Sequence, residues 1–265
     1  MPRKSGPGPA RCAPGAAADI AGLRFASKEQ ARQWAWDRLQ SEGLARFPFP
    51  PHGRIPNFAG AEVAAARLFE QPPWCDARAI KVNPDSPQLH VRRLALERGV
   101  RVYVPTPKLA GGFNLLDPAR IPSDCYAAAS ALNTMARWAQ PVALDRIEAL
   151  DAIVTGCAAV TPGGKRCGKG AGYSDLEYAI LRELGHPPVP VATTVHDVQV
   201  VADFPVDSND LPLALICTPT RTLRVADPLP APEGVEWHRL NAADLAAMPV
   251  LGELRALRGG AGGAS

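Results

Sequence analysis

Residues 152–175 read AIVTGCAAVTPGGKRCGKGAGYSD. A short run of Ala, Val and Ile comes first and predicts a buried strand over 152–160. The next stretch, Thr161 to Asp175, holds five glycines and three cations. Glycine lets backbone N–H groups approach an anion with no Cβ in the way, and a helix that follows such a loop adds unpaired N–H groups and a positive dipole end. The residues after the loop have the signals of that helix. Ser174 can cap it with Glu177 three residues on, Gly185 ends it and Pro187 follows. The sequence therefore predicts a strand, a phosphate-binding loop and a helix over 173–184.

Working outward, the same alternation recurs. Residues 77–83 and 100–105 are short apolar or β-branched runs with a helical period between them over 88–98. Downstream, 189–194, 213–218 and 222–226 read as further strands. Strands separated by helices imply an α/β fold, here a three-layer, Rossmann-like, mostly parallel sheet with helices on both faces. In such sheets ligands sit beyond the carboxyl ends of the strands. Two helices precede the alternation, one over 28–43 capped by Ser27 and one over 57–69 stopped by Pro72 and Pro73. The Gly-, Ala- and Pro-rich segments 1–22 and 259–265 are expected to be tails around a single domain at 23–258.

Composition narrows the class of function. The 29 basic and 26 acidic residues leave a formal charge of only +3, so no general attraction to nucleic acid or membrane follows. No stretch approaches the ~20 apolar residues of a membrane span. The six cysteines lack C-x-x-C spacing, which argues against a zinc knuckle or disulfide framework and for reduced thiols in a cytoplasmic protein. Gly163 to Lys169 fits G-x-x-x-x-G-K, but Gly170 stands where a P-loop needs Ser or Thr. The alternating Gly168, Gly170 and Gly172 are not the G-x-G-x-x-G dinucleotide fingerprint either.

The loop resembles the signature of the 5-formyltetrahydrofolate cyclo-ligase family, Gly-x-Arg-x-Gly-x-Gly-x-Gly-Tyr-Tyr-Asp. Gly164, Arg166, Gly168, Gly170, Gly172, Tyr173 and Asp175 match it, and Ser174 replaces the second Tyr. Lys28 and Arg32 reproduce a Lys-x-x-x-Arg pair on the family's first helix, and His196-Asp197 resembles its His-Asp or Asn-Asp motif. The resemblance implies a NagB/RpiA/CoA transferase-like fold and an ATP- and magnesium-dependent enzyme. ATP would be held by Lys28, Arg32, Gly164, Lys165, Arg166, Gly168, Lys169, Gly170, Ala171, Gly172 and Tyr173. Arg166 and Lys169 would stabilise charge in phosphoryl transfer, and Asp175 and Asp197 would bind magnesium. The implied reaction converts 5-formyltetrahydrofolate to 5,10-methenyltetrahydrofolate, with release of ADP and phosphate, in a monomer or homodimer.

One region departs from the family. Where the family has a folate-binding Glu after a strand, this chain has Lys81-Val82-Asn83-Pro84-Asp85-Ser86-Pro87-Gln88. Together with Ile55 to Phe58 and Pro105 to Lys108, this resembles the divergent branch that includes methenyltetrahydrofolate synthetase domain-containing proteins. Candidates for contact with the second substrate are Asn57, Lys81, Asn83, Asp85, Gln88, Lys108 and Tyr173. That substrate is a formylated folate or an analogue; the alternatives are a thiamine-related compound, or a module without catalysis whose loop binds RNA or another polyanion.

Overall fold

Along the strand Ala79–Val82, alternate side chains face two different hydrophobic layers, and this period of two organises the molecule. The computed structural model describes residues 22–261; most of the expected amino-terminal tail, with Cys12, lies outside them. In chain order, α1 (Lys28–Ser41) starts at Ser27, whose hydroxyl accepts the Gln30 N–H. A small hairpin of β1 (Ala45–Arg46) and β2 (Asn57–Phe58) follows. The predicted helix over 57–69 is thus shortened to α2 (Ala61–Leu68), because Asn57 and Phe58 pair as a strand and Gly60, at φ 81°, makes the corner. Then come β3 (Ala79–Val82), α3 (Leu89–Glu97), β4 (Arg101–Pro105), β5 (Phe113–Leu116), α4 (Tyr126–Ser130) and β6 (Gln140–Val142).

The second half begins with β7 (Ala152–Val154). The single strand expected over 152–160 is broken at Gly156, where the chain leaves the main sheet; a Cβ there would lie 2.9 Å from Gln88 Oε1 and from Ile55 Cγ2. Beyond the break, β8 (Ala159–Val160) and β9 (Arg166–Cys167) form their own antiparallel hairpin. After α5 (Tyr173–Glu183), β10 (Val191–Thr194), β11 (Leu215–Cys217) and β12 (Thr222–Arg224) complete the strands. The chain then enters α6 (Ala242–Ala247) and α7 (Pro249–Ala261), so helix continues past the boundary expected at 258.

The main sheet runs β12-β11-β10-β7-β3-β4-β5-β6. The five central strands are parallel and the outer pairings antiparallel, as a mostly parallel α/β sheet requires. On one face Ala79, Ile153, Val191 and Ile216 pack against α5 and α7 through Ile180, Leu251 and Leu254. On the other, Ile80, Val82, Ala152 and Leu215 pack against α2 and α3 through Leu68, Val91 and Leu96. The chain moves from β3 outward to β4 and then returns to place β7 on the opposite side of β3. That reversal opens a crevice at the carboxyl ends of β3 and β7. No helix among the described residues is long and apolar enough to cross a membrane. Because Ile80 is completely buried in the central strand, Ile80→Ala is expected to cost about 2–5 kcal/mol in urea unfolding with an unchanged m-value.

Candidate functional site

A cleft of about 750 Å³ occupies this crevice. Residues after β3 (Asn83, Pro84, Asp85), after β4 (Thr106, Lys108) and after β7 (Gly156) form one wall. The glycine-rich loop from Cys167 to Asp175 forms the other, with Lys28 and Arg32 of α1 across its mouth.

The loop is anchored at one end by the β8–β9 hairpin and at the other by α5. Gly164 is part of the hairpin turn and not of the cleft. At φ +84° its missing Cβ would lie 2.5 Å from the Leu213 carbonyl oxygen, so backbone packing alone demands glycine. Lys165 also turns away, its Nζ donating to Asp203 Oδ1 at 2.6 Å and to the Phe204 carbonyl. From Gly168 to Asp175, by contrast, no backbone N–H donates to a protein acceptor among the described residues. The N-cap of α5 is Gly172 at φ 68°, with no side-chain cap. Ser174, expected as the cap, instead accepts a hydrogen bond from Asn83 Nδ2. Glu177, its expected capping-box partner, is buried at the edge of the cleft and pairs with Lys81. The result is a run of unpaired amides at a helix start, which is an anion-binding arrangement.

The charged residues divide by burial. Arg166 is only 4% exposed, pairs with Asp175 and donates Nε to the Leu211 carbonyl at 2.8 Å. Asp175 also accepts the Leu211 N–H at 2.8 Å. Both residues line the cleft, but their charged groups are committed to each other. Arg32 steadies the loop through Nε to the Gly168 carbonyl at 3.1 Å and pairs with Glu29. Lys28 bridges Asp207 and Asp210 at 2.7 Å each; burial pulls its amine down, and the two aspartates more than reverse this, leaving it above the ordinary lysine value. Lys169 is held loosely, 3.5 Å from Asp85.

Asp197 does not reach the site. It follows β10 and is not among the residues lining the cleft. Its carboxylate ties the turn after β11, accepting from Thr218 and Thr220 at 2.7 and 2.6 Å. His196 caps the adjacent turn through Nδ1.

The expected second-substrate residues divide similarly. Asn83, Asp85, Lys108 and Tyr173 line the cleft. Asn57 donates Nδ2 to the Phe47 carbonyl at 2.9 Å outside it. Gln88 is completely buried and donates to Thr194. Lys81 lies beneath the floor, paired with Glu177 and bonded to Asn83 Oδ1 at 2.8 Å. Burial pushes the Glu177 carboxyl up against the opposing pull of Lys81. Cys157 and Cys167 are buried too, and burial pushes the Cys167 thiol up to about 12, which removes thiolate chemistry from the loop.

The model of the 5-formyltetrahydrofolate cyclo-ligase family matches residues 26–219, from the start of α1 to beyond β11. The chain belongs to this family. Curated relatives include the methenyltetrahydrofolate synthase domain-containing proteins of Mus musculus, 41% identical over 236 residues, and Homo sapiens, 36% identical over 237. These alignments cover 86% and 87% of this chain but 63% and 62% of the relatives, so the chain spans under two thirds of their length. The NMR structure of Aquifex aeolicus 5,10-methenyltetrahydrofolate synthetase aligns over 80% of this chain and 99% of its own, at 16% identity and a TM-score of 0.49.

Within this cyclo-ligase-family cleft several residues went unread in the sequence: Thr106, Asp207, Asn209, Asp210 and Arg239 all line it. A signal was available for two. The Asn-Asp form of the dipeptide assigned to His196-Asp197 also occurs at Asn209-Asp210, and the fold brings that copy beside Lys28 and, through the Leu211 N–H, beside Asp175. The buried Lys81–Glu177 pair yields a stability prediction. Lys81→Met leaves an unpaired buried carboxyl and is expected to cost about 3–5 kcal/mol at neutral pH. Because the folded Glu177 pKa is raised, the folded state holds a proton that the unfolded state has released. Stability of this variant should therefore be greatest below the unfolded carboxyl value, about 4.3, and fall as pH rises from there toward the folded value, as chemical denaturation across pH will report.

Proposed function

We propose that the cleft binds a nucleoside triphosphate and uses it to activate a formyl or similar carbonyl oxygen of a small substrate. The reading is carried by the unpaired amides from Gly168 to Asp175, which face the same cleft as Lys28 and Lys169. In phosphoryl transfer such groups act by positioning and by neutralising charge on the phosphates. The amides would cradle the phosphates and Lys169 would sit over them. Lys28 would exchange a carboxylate for a phosphate oxygen. That exchange is inexpensive, because the Asp207 side chain is 58% exposed and exposed ion pairs contribute only about 0–1 kcal/mol. Arg166 would act at one remove, holding the loop's shape through Asp175 and Leu211.

Magnesium fits the donor set. Asp175 lines the cleft with Oδ1 held by Arg166 and the Leu211 N–H and Oδ2 accepting from no described residue, and magnesium commonly takes one or two carboxylates with phosphate oxygens completing its shell. No group of three or more His, Cys, Asp or Glu residues able to hold a metal occurs among the described residues. When bound, it would neutralise phosphate charge.

The second substrate would lie against Asn83, Asp85, Thr106, Lys108 and Tyr173, with 5-formyltetrahydrofolate as the compound to test. A different small substrate, such as a thiamine-related compound, is favoured by one observation: Gln88, near the family's folate-binding Glu in sequence, is completely buried and cannot touch a ligand in the cleft. ADP release stimulated by 5-formyltetrahydrofolate supports the first; release stimulated only by another compound supports the second. Calorimetric titration should show Lys28→Ala weakening ATP affinity about ten-fold or more while the melting temperature stays close to wild type; unchanged affinity would remove the nucleotide assignment.

A further inference from the structure

The family match ends at residue 219, yet the chain continues and returns to the cleft. Glu183, the last residue of α5, fastens this later segment. Its carboxylate accepts the Val235 N–H at 3.0 Å and the Trp237 indole N–H at 3.3 Å, and pairs with Arg258 of α7. Gly234 makes the approach possible, since a Cβ there would meet Glu183 Oε2 at 2.4 Å. Arg255 then lies over the Trp237 ring at 4.5 Å. These contacts deliver Arg239 to the cleft two residues after Trp237.

Arg239 is held but not used up. Its Nη1 donates to Asn209 Oδ1 at 2.8 Å and Glu236 Oε2 at 3.0 Å. Nε and Nη2 donate to no protein acceptor among the described residues, and the side chain is 44% exposed. Asn209 adjoins Asp210, the partner of Lys28, so Arg239 and Lys28 border the same acidic turn. Arg239 also lines a second cavity of about 250 Å³, walled by Pro232, Leu240 and Met248, which meets the main cleft along Ala171 to Tyr173. A fixed guanidinium with free donors beside a row of unpaired amides is suited to phosphate oxygens.

We propose that Arg239 is a phosphate-binding residue of the nucleotide site, supplied by the segment beyond the family-matched region. The inference rests on the reading that the cleft binds a nucleoside triphosphate. The test is calorimetric titration of the full chain and of Arg239→Ala and Arg239→Lys with magnesium-ATP and with adenosine, over a range of salt. Arg239→Ala should lose about ten-fold in ATP affinity, Arg239→Lys less, and neither should change adenosine binding. The ATP affinity of Arg239→Ala should also fall less steeply with salt, because one charge contact is gone. Glu236→Ala removes the segment's internal partner and leaves the guanidinium, so its ATP affinity should be kept or raised; a loss matching that of Arg239→Ala would overturn the proposal. ATP affinity within two-fold of wild type in Arg239→Ala, with loss in Lys28→Ala, overturns this inference alone. Failure of the wild-type chain to bind ATP overturns it together with the reading beneath it.

Discussion

The buried ion pair between Arg166 and Asp175 is the constraint on which the site depends. A guanidinium that is 4% exposed would be costly without a partner. It is satisfied by a carboxylate from the first turn of α5 and by the Leu211 carbonyl, while the Leu211 N–H completes the set from the other side. Three segments distant in sequence are thereby locked together: the β8–β9 hairpin, the start of α5 and the turn carrying Asp207 and Asp210. Between the first two, residues 168–172 are held at both ends, and their amides stay unpaired because the backbone is not released to find partners.

Burial then decides which charges can meet a ligand. Arg166 is enclosed, and Lys165 is spent on Asp203; both serve the loop's shape. Lys28, Lys169 and Arg239 are each partly exposed and paired with carboxylates that solvent also reaches. Such pairs hold side chains near the cleft at little energetic cost to exchange. Pre-pairing also limits the repulsion that clustered cations would otherwise cause in a protein of small net charge. The Lys81–Glu177 pair is of the enclosed kind. It supports Asn83 from below, so the wall opposite the loop is set by buried electrostatics and not by the exposed turn alone.

Much of the architecture was legible in the pattern of residues. The alternation of β-branched runs with helical periods gave the α/β class, and Ser27 and Gly185 marked helix ends that the structure has. Misreadings occurred where a local rule met a tertiary partner. Ser174 and Glu177 satisfy capping-box spacing, but Asn83 and Lys81 claim both side chains. His196-Asp197 and Asn209-Asp210 both fit a dipeptide motif, and only tertiary contacts, which spacing does not encode, separate the copy paired with Lys28 in the cleft from the copy spent on Thr218 and Thr220.

By itself, then, the sequence determined the strand and helix alphabet, the glycine-rich loop and its charge, because these depend on neighbours a few residues apart. Tertiary structure decided which glycines pack and which line the cleft, which cations are enclosed, and that a segment beyond residue 219 returns Arg239 to the cleft. Those outcomes depend on contacts between residues tens of positions apart, and burial, which sets the strength of every charge interaction, exists only once those contacts have formed.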